Sequence, residues 1–161
     1  MKAIEYRTID KSDWARGEWD NEPDKMQFAD EVTGLPCLVV RGSSGGLCGY
    51  VGVAENHPLF GKGYDEADID VHGGLTFADK CRPHESGEQR GICHIPSEGE
   101  PDHVWWFGFD CAHAWDFTPA YSGRPEAWFR QCHDETYRDI GYVKSEIRGL
   151  ARQLAAAQAQ R

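Results

Sequence analysis

Two groups of residues in this chain have the types and spacing to do chemistry. The first joins His72, in the run Asp70-Val-His-Gly-Gly-Leu-Thr76, to Asp110, His113 and Asp116 at the end of Val104-Trp-Trp-Phe-Gly-Phe-Asp110 and just beyond it. An imidazole beside a carboxylate is the usual arrangement of an oriented general base. The same set can ligate a divalent metal, which lowers the pKa of a bound water. The second group is Cys81-x-x-His84 followed by Cys93-His94. Thiolates and imidazoles at such separations can hold a structural Zn²⁺. Cys93 and His94 are adjacent, so on an extended chain they point to opposite sides and ligate together only across a bend. A mixed set of Cys81, Cys93, Cys111 and His113 is the variant. Zn²⁺ is thus the candidate cofactor, with Cys81, His84, Cys93 and His94 as its ligands.

The first group needs two strands to position it. Residues 104–110 form a dense aromatic run, and residues 69–77 alternate apolar with polar or glycine positions. We take the two as antiparallel neighbours, with Phe77 opposite Trp105. That register places Gly74 against Gly108 and His72 against Asp110. Val71, Leu75, Phe77, Trp105, Phe107 and Phe109 then build a core face. Gly73, Gly74, Thr76, Trp106 and Asp116 line a trough on or beside the other face. Three readings follow. His72 and Asp110 are a satisfied polar pair under close packing. Alternatively, Trp106 stacks on a ring while His72, Thr76 and Asp110 bind its polar edge. In the third, His72, Asp110, His113 and Asp116 are metal ligands or an acid/base set.

The remaining elements frame these strands. Residues 4–9 form a short strand. Residues 10–34 are turn-rich, a loop or short helix fastened by Trp14 and Trp19. The runs 35–41 and 47–53, around Gly42-Ser-Ser-Gly-Gly46, make a β-hairpin. No Gly-Lys-Ser/Thr step or helix follows that turn, so it is no P-loop. Residues 54–68 and 78–102 are loops. Residues 125–132 are a short helix, and Asp134 can cap the next. From Tyr137, apolar residues recur through Ile140, Val143, Ile147, Leu150 and Leu154, the spacing of an amphipathic helix. Arg138, Lys144, Arg148 and Arg152 read as its solvated face. The fold class expected is α+β: an antiparallel β-sheet with a long C-terminal amphipathic helix packed on one face. The chain reads as one domain over 1–161, with sheet within about 1–118 and helix within about 124–158.

Composition narrows the function. The formal charge is −10, which opposes an extended nucleic-acid surface. It permits a pocket for one small nucleotide-like ligand, or docking on a basic protein. No run of 18 apolar residues and no signal-like start occurs, so a cytoplasmic protein without a membrane span is expected. In that compartment the six cysteines would be thiols or metal ligands.

Several stretches resemble an uncharacterised family of small phage- and prophage-encoded proteins. They are Glu22-Pro-Asp-Lys25, Thr33-Gly-Leu-Pro-Cys-Leu38, Cys48-Gly-Tyr-Val-Gly-Val53 with His57-Pro58, Asp70-Val-His-Gly-Gly-Leu-Thr-Phe77, Trp105-Trp-Phe-Gly-Phe-Asp-Cys-Ala-His113 and Thr136-Tyr-Arg-Asp139 with Tyr142-Val-Lys144. Trp115 departs from the small residue expected there, and would narrow an entrance. The resemblance carries no established activity. It implies a phage setting, and the first hypothesis is a non-enzymatic phage accessory protein with an anti-defence role, binding a nucleotide-like signal or a host defence protein. The alternatives are a metal-dependent hydrolase or phosphoesterase built on His72, Asp110 and His113, and a zinc-stabilised interaction module.

Overall fold

A computed structural model describes residues 1–87, 89–123 and 135–160. Six strands form one sheet: β1 (Ile4–Tyr6), β2 (Lys25–Ala29), β3 (Pro36–Arg41), β4 (Leu47–Ala54), β5 (Phe77–Lys80) and β6 (Val104–Asp110). Their spatial order is β1-β2-β3-β4-β6-β5, and every neighbouring pair is antiparallel. Among the described residues one α-helix, α1 (Ile140–Ala159), packs on β4 and β3. The α+β class expected from the sequence is the fold observed.

The hairpin around Gly42–Gly46 forms as β3 and β4, with Val39 opposite Gly49. Alternation along these strands sends residues to two cores. Cys37, Val39, Leu47, Val51, Phe107 and Phe109 pack under α1, against Val143, Ile147, Leu150, Ala151 and Leu154. Leu38, Val40, Tyr50, Val104 and Trp106 form a second core on the opposite face. Trp105 joins the helix-side core at its edge, so the face assigned to Trp105, Phe107 and Phe109 stands.

Residues 10–34 are not wholly loop, because β2 lies among them. Its alternate positions are polar, yet Lys25 and Gln27 are buried. Lys25 Nζ donates to the Cys93 carbonyl at 2.9 Å. The Gln27 amide donates to the Lys2 and Ile95 carbonyls and accepts from the Ile95 N–H. These polar side chains hold the long 81–95 segment over the second core, and satisfying their groups offsets the cost of burial. Trp19 does fasten the preceding segment, against Phe117 and Tyr137.

α1 begins at Ile140 rather than Tyr137. Asp139 is the cap, accepting from the Tyr142 N–H at 2.8 Å. Glu22 accepts from the Ile140 N–H. Tyr137 lies outside the helix, donating to Glu22 at 2.6 Å and accepting from Arg41 at 2.9 Å. The short helix expected over 125–132 and the Asp134 cap lie outside the described residues.

The largest correction concerns residues 69–77. Only Phe77 of this run is in a strand, and it faces Gly108 rather than Trp105. Gly73 and Gly74 have φ of +66° and +80°, so the chain turns there and cannot continue a strand. The apolar alternation arises because Val71 reaches the helix-side core from a loop. No glycine trough exists at the expected register. The space beside Gly108 is filled by the Tyr50 ring, which lies 2.2 Å from where a Cβ would stand. Trp106 is fully buried beneath His94, ring centroids 5.2 Å apart, and is not a stacking platform.

Candidate metal centre

The chemistry of the first group gathers where β6 ends. Beyond Asp110 the chain makes a tight turn, with the Asp116 N–H donating to the His113 carbonyl at 2.9 Å. The Asp116 carboxylate reaches back to accept the His113 N–H at 3.0 Å. Across from this turn, residues 70–74 are pinned to α1. Gln153 exchanges two hydrogen bonds of 2.8 Å with the Asp70 backbone. Val71 anchors the same loop in the core, so His72 is presented from a fixed base.

Asp116 is the hub. Its Oδ2 accepts from His72 Nε2 and from His113 Nδ1, each at 3.0 Å. Its Oδ1 accepts from Arg138 Nε at 3.1 Å. The residue is 1% exposed. Burial opposes the charged form of Asp116. The His72 ring, the His113 N–H, Arg138 and the His113 ring outweigh it, holding the carboxyl below its ordinary pKa. His72 Nδ1 meets the Tyr142 hydroxyl at 2.8 Å. His113 reaches the same carboxylate oxygen of Asp116 through Nδ1. Trp115 stacks on the His113 ring at 4.9 Å and 6° while remaining 49% exposed.

One ligand atom from each of His72, His113 and Asp116 lies within 4.8 Å of the other two. Donors on a tetrahedral zinc, with bonds of about 2.0–2.2 Å, sit roughly 3.3 Å apart. The two N–O separations of 3.0 Å are already close to that. A metal would take the place of the shared protons. Each imidazole would then carry its proton on the other nitrogen, where the Tyr142 oxygen can accept from His72 Nδ1. Two imidazoles and one carboxylate leave a coordination position for water.

The structure sorts the remaining site residues. Asp110 is a neighbour, not a partner of His72: it stands 3.9 Å from His113 Nδ1. Its oxygens accept from the Thr76 hydroxyl at 3.0 Å and the Ala112 N–H at 3.1 Å. Thr76 is therefore committed to Asp110 and lines no trough. Gly73 backs the centre directly, since a Cβ there would stand 2.1 Å from His113 Cε1. Gly74 shapes the turn, with nothing within 4 Å of its Cβ position. The zinc set of Cys81, His84, Cys93 and His94 does not form. Cys81 and Cys93 are joined in a disulfide, which removes the thiolates a zinc would need. His84 is turned to Ser86, and His94 lies on Trp106. Cys111 is buried next to the centre, and burial pushes its thiol well up, so it is no thiolate nucleophile.

Sequence reasoning missed Tyr142, Arg138 and the hub role of Asp116. Arg138 was assigned to a solvated face, but its guanidinium lies over the Tyr142 ring at 4.9 Å and binds Asp116. The available signal was the four-residue spacing of Arg138 and Tyr142 on either side of a capping Asp139. Against protein-family models, curated proteins and solved structures, the chain shows no match.

Proposed function

We propose that the protein is a metal-dependent hydrolase of phosphoesters, with His72, His113 and Asp116 as the metal ligands. The observation that carries this is the convergence of one ligand atom each from His72, His113 and the buried Asp116 within 4.8 Å of one another. The bound metal supplies an activated water. Asp116 sets the negative charge of the site and orients both imidazoles. Arg138 uses Nε on Asp116, and its terminal nitrogens have no hydrogen-bond partner among the described residues. They suit a phosphoryl oxygen. In the hydrolysis the water oxygen bonds to phosphorus, the ester P–O bond breaks, and the water's proton ends on the leaving alcohol. The phage setting implied by the resemblance enters as an expectation of substrate: a nucleotide-like signal of host defence.

The test is elemental analysis after loading with Zn²⁺ or Mn²⁺ and desalting, together with hydrolysis of bis(4-nitrophenyl) phosphate. Wild type should retain about one equivalent, as a three-ligand site does. His72→Ala and His113→Ala should lose both metal and activity. A wild type that retains no metal, or phosphodiester hydrolysis that survives His72→Ala, ends the proposal.

A further inference from the structure

We infer that a second site, on the sheet face away from α1, binds a small ring-bearing phosphate of the nucleoside monophosphate class. It is a cavity of about 310 Å³ whose walls include Trp14, Ser43, Tyr50, His84, Arg90 and Arg41. That volume is at the lower end of small-molecule pockets. The chain carries 27 acidic against 17 basic residues, yet among the described residues this cavity is lined by two arginines and a histidine and by no carboxylate.

The polar groups left free there are donors. Arg41 is spent on Asp24, Gly45, Tyr137 and Pro23. Arg90 is exposed, and none of the described residues forms an ion pair with its guanidinium. His84 Nδ1 accepts from the Ser86 N–H at 3.1 Å, which leaves Nε2 as an N–H donor. Ser43 adds a hydroxyl from the hairpin turn. A guanidinium, an imidazole N–H and a hydroxyl on one cavity match phosphate oxygens. The Trp14 and Tyr50 side chains supply apolar ring walls for a planar group.

The stretch bearing His84 and Arg90 is closed at its ends. The Cys81–Cys93 disulfide closes its base. Just inside, Arg82 and Ile92 exchange backbone hydrogen bonds of 3.1 and 2.9 Å. The ends of this segment are tied together without any part of the metal centre, so the inference stands apart from the hydrolase reading.

The test is calorimetric titration of the full chain, with chelator present so that the metal centre is silent. The probes are the four ribonucleoside monophosphates, phenyl phosphate, inorganic phosphate and the uncharged nucleosides. At least one ring phosphate should saturate below millimolar concentration. Inorganic phosphate and the nucleosides should bind at least about tenfold more weakly, the weight of a charge-assisted hydrogen bond or a stacked ring. Arg90→Glu should weaken the ring phosphate by about tenfold or more. Arg82→Glu makes the same charge change on the same segment, but Arg82 is paired with Asp79 and lies outside the cavity lining, so it should have little effect. The inference is overturned if no ring phosphate saturates, if a nucleoside or inorganic phosphate binds equally well, or if Arg82→Glu weakens binding as much as Arg90→Glu.

Discussion

Gly73→Ala tests whether the metal centre depends on the shape of the loop behind it. Gly73 has φ +66°, a left-handed conformation that costs an alanine about 1–2 kcal/mol. The new Cβ would stand 2.1 Å from His113 Cε1 and 2.4 Å from Nε2. Carbon atoms rest at about 3.5 Å, so the imidazole must retreat by about 1.4 Å. Its Nδ1 is 3.0 Å from Asp116, and such a shift breaks that hydrogen bond, worth about 1 kcal/mol. The total is about 2–3 kcal/mol, or a fall in Tm of roughly 5–10 °C for a chain of this size. Displacing one ligand of three should also weaken metal binding by at least about 10–100-fold, the loss seen when ligand orientation alone is disturbed. Gly74→Ala is the internal control. Its φ is +80°, but nothing lies within 4 Å of the added Cβ. It should lose the backbone share of stability and keep its metal affinity. Thermal melts and zinc titration against a competing chromophoric chelator read both quantities. Equal zinc affinity in wild type and Gly73→Ala would refute the reasoning, because the ring would then not be held where a ligand is needed.

Three further outcomes follow from the same structure. Burial opposes the charge on Asp24, but Lys11, the Ile9 N–H and Arg41 outweigh it and lower its pKa. Its contribution is complete above the unfolded carboxyl pKa of about 3.9 and is lost as pH falls below that value. Urea melts should therefore show stability dropping below about pH 4, and Asp24→Asn should flatten that drop while costing about 1–3 kcal/mol at pH 7, because buried Arg41 loses one acidic neighbour and keeps Glu22 at 3.8 Å. Reducing the Cys81–Cys93 bond, whose partners are 12 residues apart, should cost about 3 kcal/mol of chain-closure entropy, read as a lower urea midpoint in reductant. Ile147→Ala should cost about 2–5 kcal/mol because Ile147 is fully buried under the sheet, whereas exposed Arg148→Ala should stay within about 0.5 kcal/mol.

The hairpin and the helix were legible because their signals are local: β-branched runs around a glycine turn, and apolar steps of three and four. β2 was hidden by its own chemistry. Lys25 and Gln27 look like solvent-facing positions, and only the backbone of a segment 68 residues away explains their burial. Residues 69–77 misled in the opposite sense, since Ile69, Val71, Leu75 and Phe77 alternate as a strand does. The adjacent glycines, weighed as a trough, mark the turn that ends the pattern. At the site, His72, His113 and Asp116 were all singled out. Their geometry was not, because the strand register paired His72 with Asp110, while the actual partner lies beyond the strand end. The disulfide was missed because an assumed reducing compartment outweighed the Cys81–Cys93 spacing. Among the described residues no helix is long and apolar enough to cross a membrane, and that leaves the compartment itself untouched.

The unequal strand lengths bear on how this protein behaves when concentrated. β4 and β6, in the interior of the sheet, have eight and seven residues, while the edge strands β1 and β5 have three and four. An exposed edge invites another chain to pair with it, and the invitation scales with the row of free amides and carbonyls it presents. Here each row stops almost as soon as it starts. β5 also carries Asp79 and Lys80, with Arg82 two residues beyond. The aromatic strand that would be the most adhesive part of the molecule is thereby fenced on both sides, and β-mediated aggregation finds little to grip.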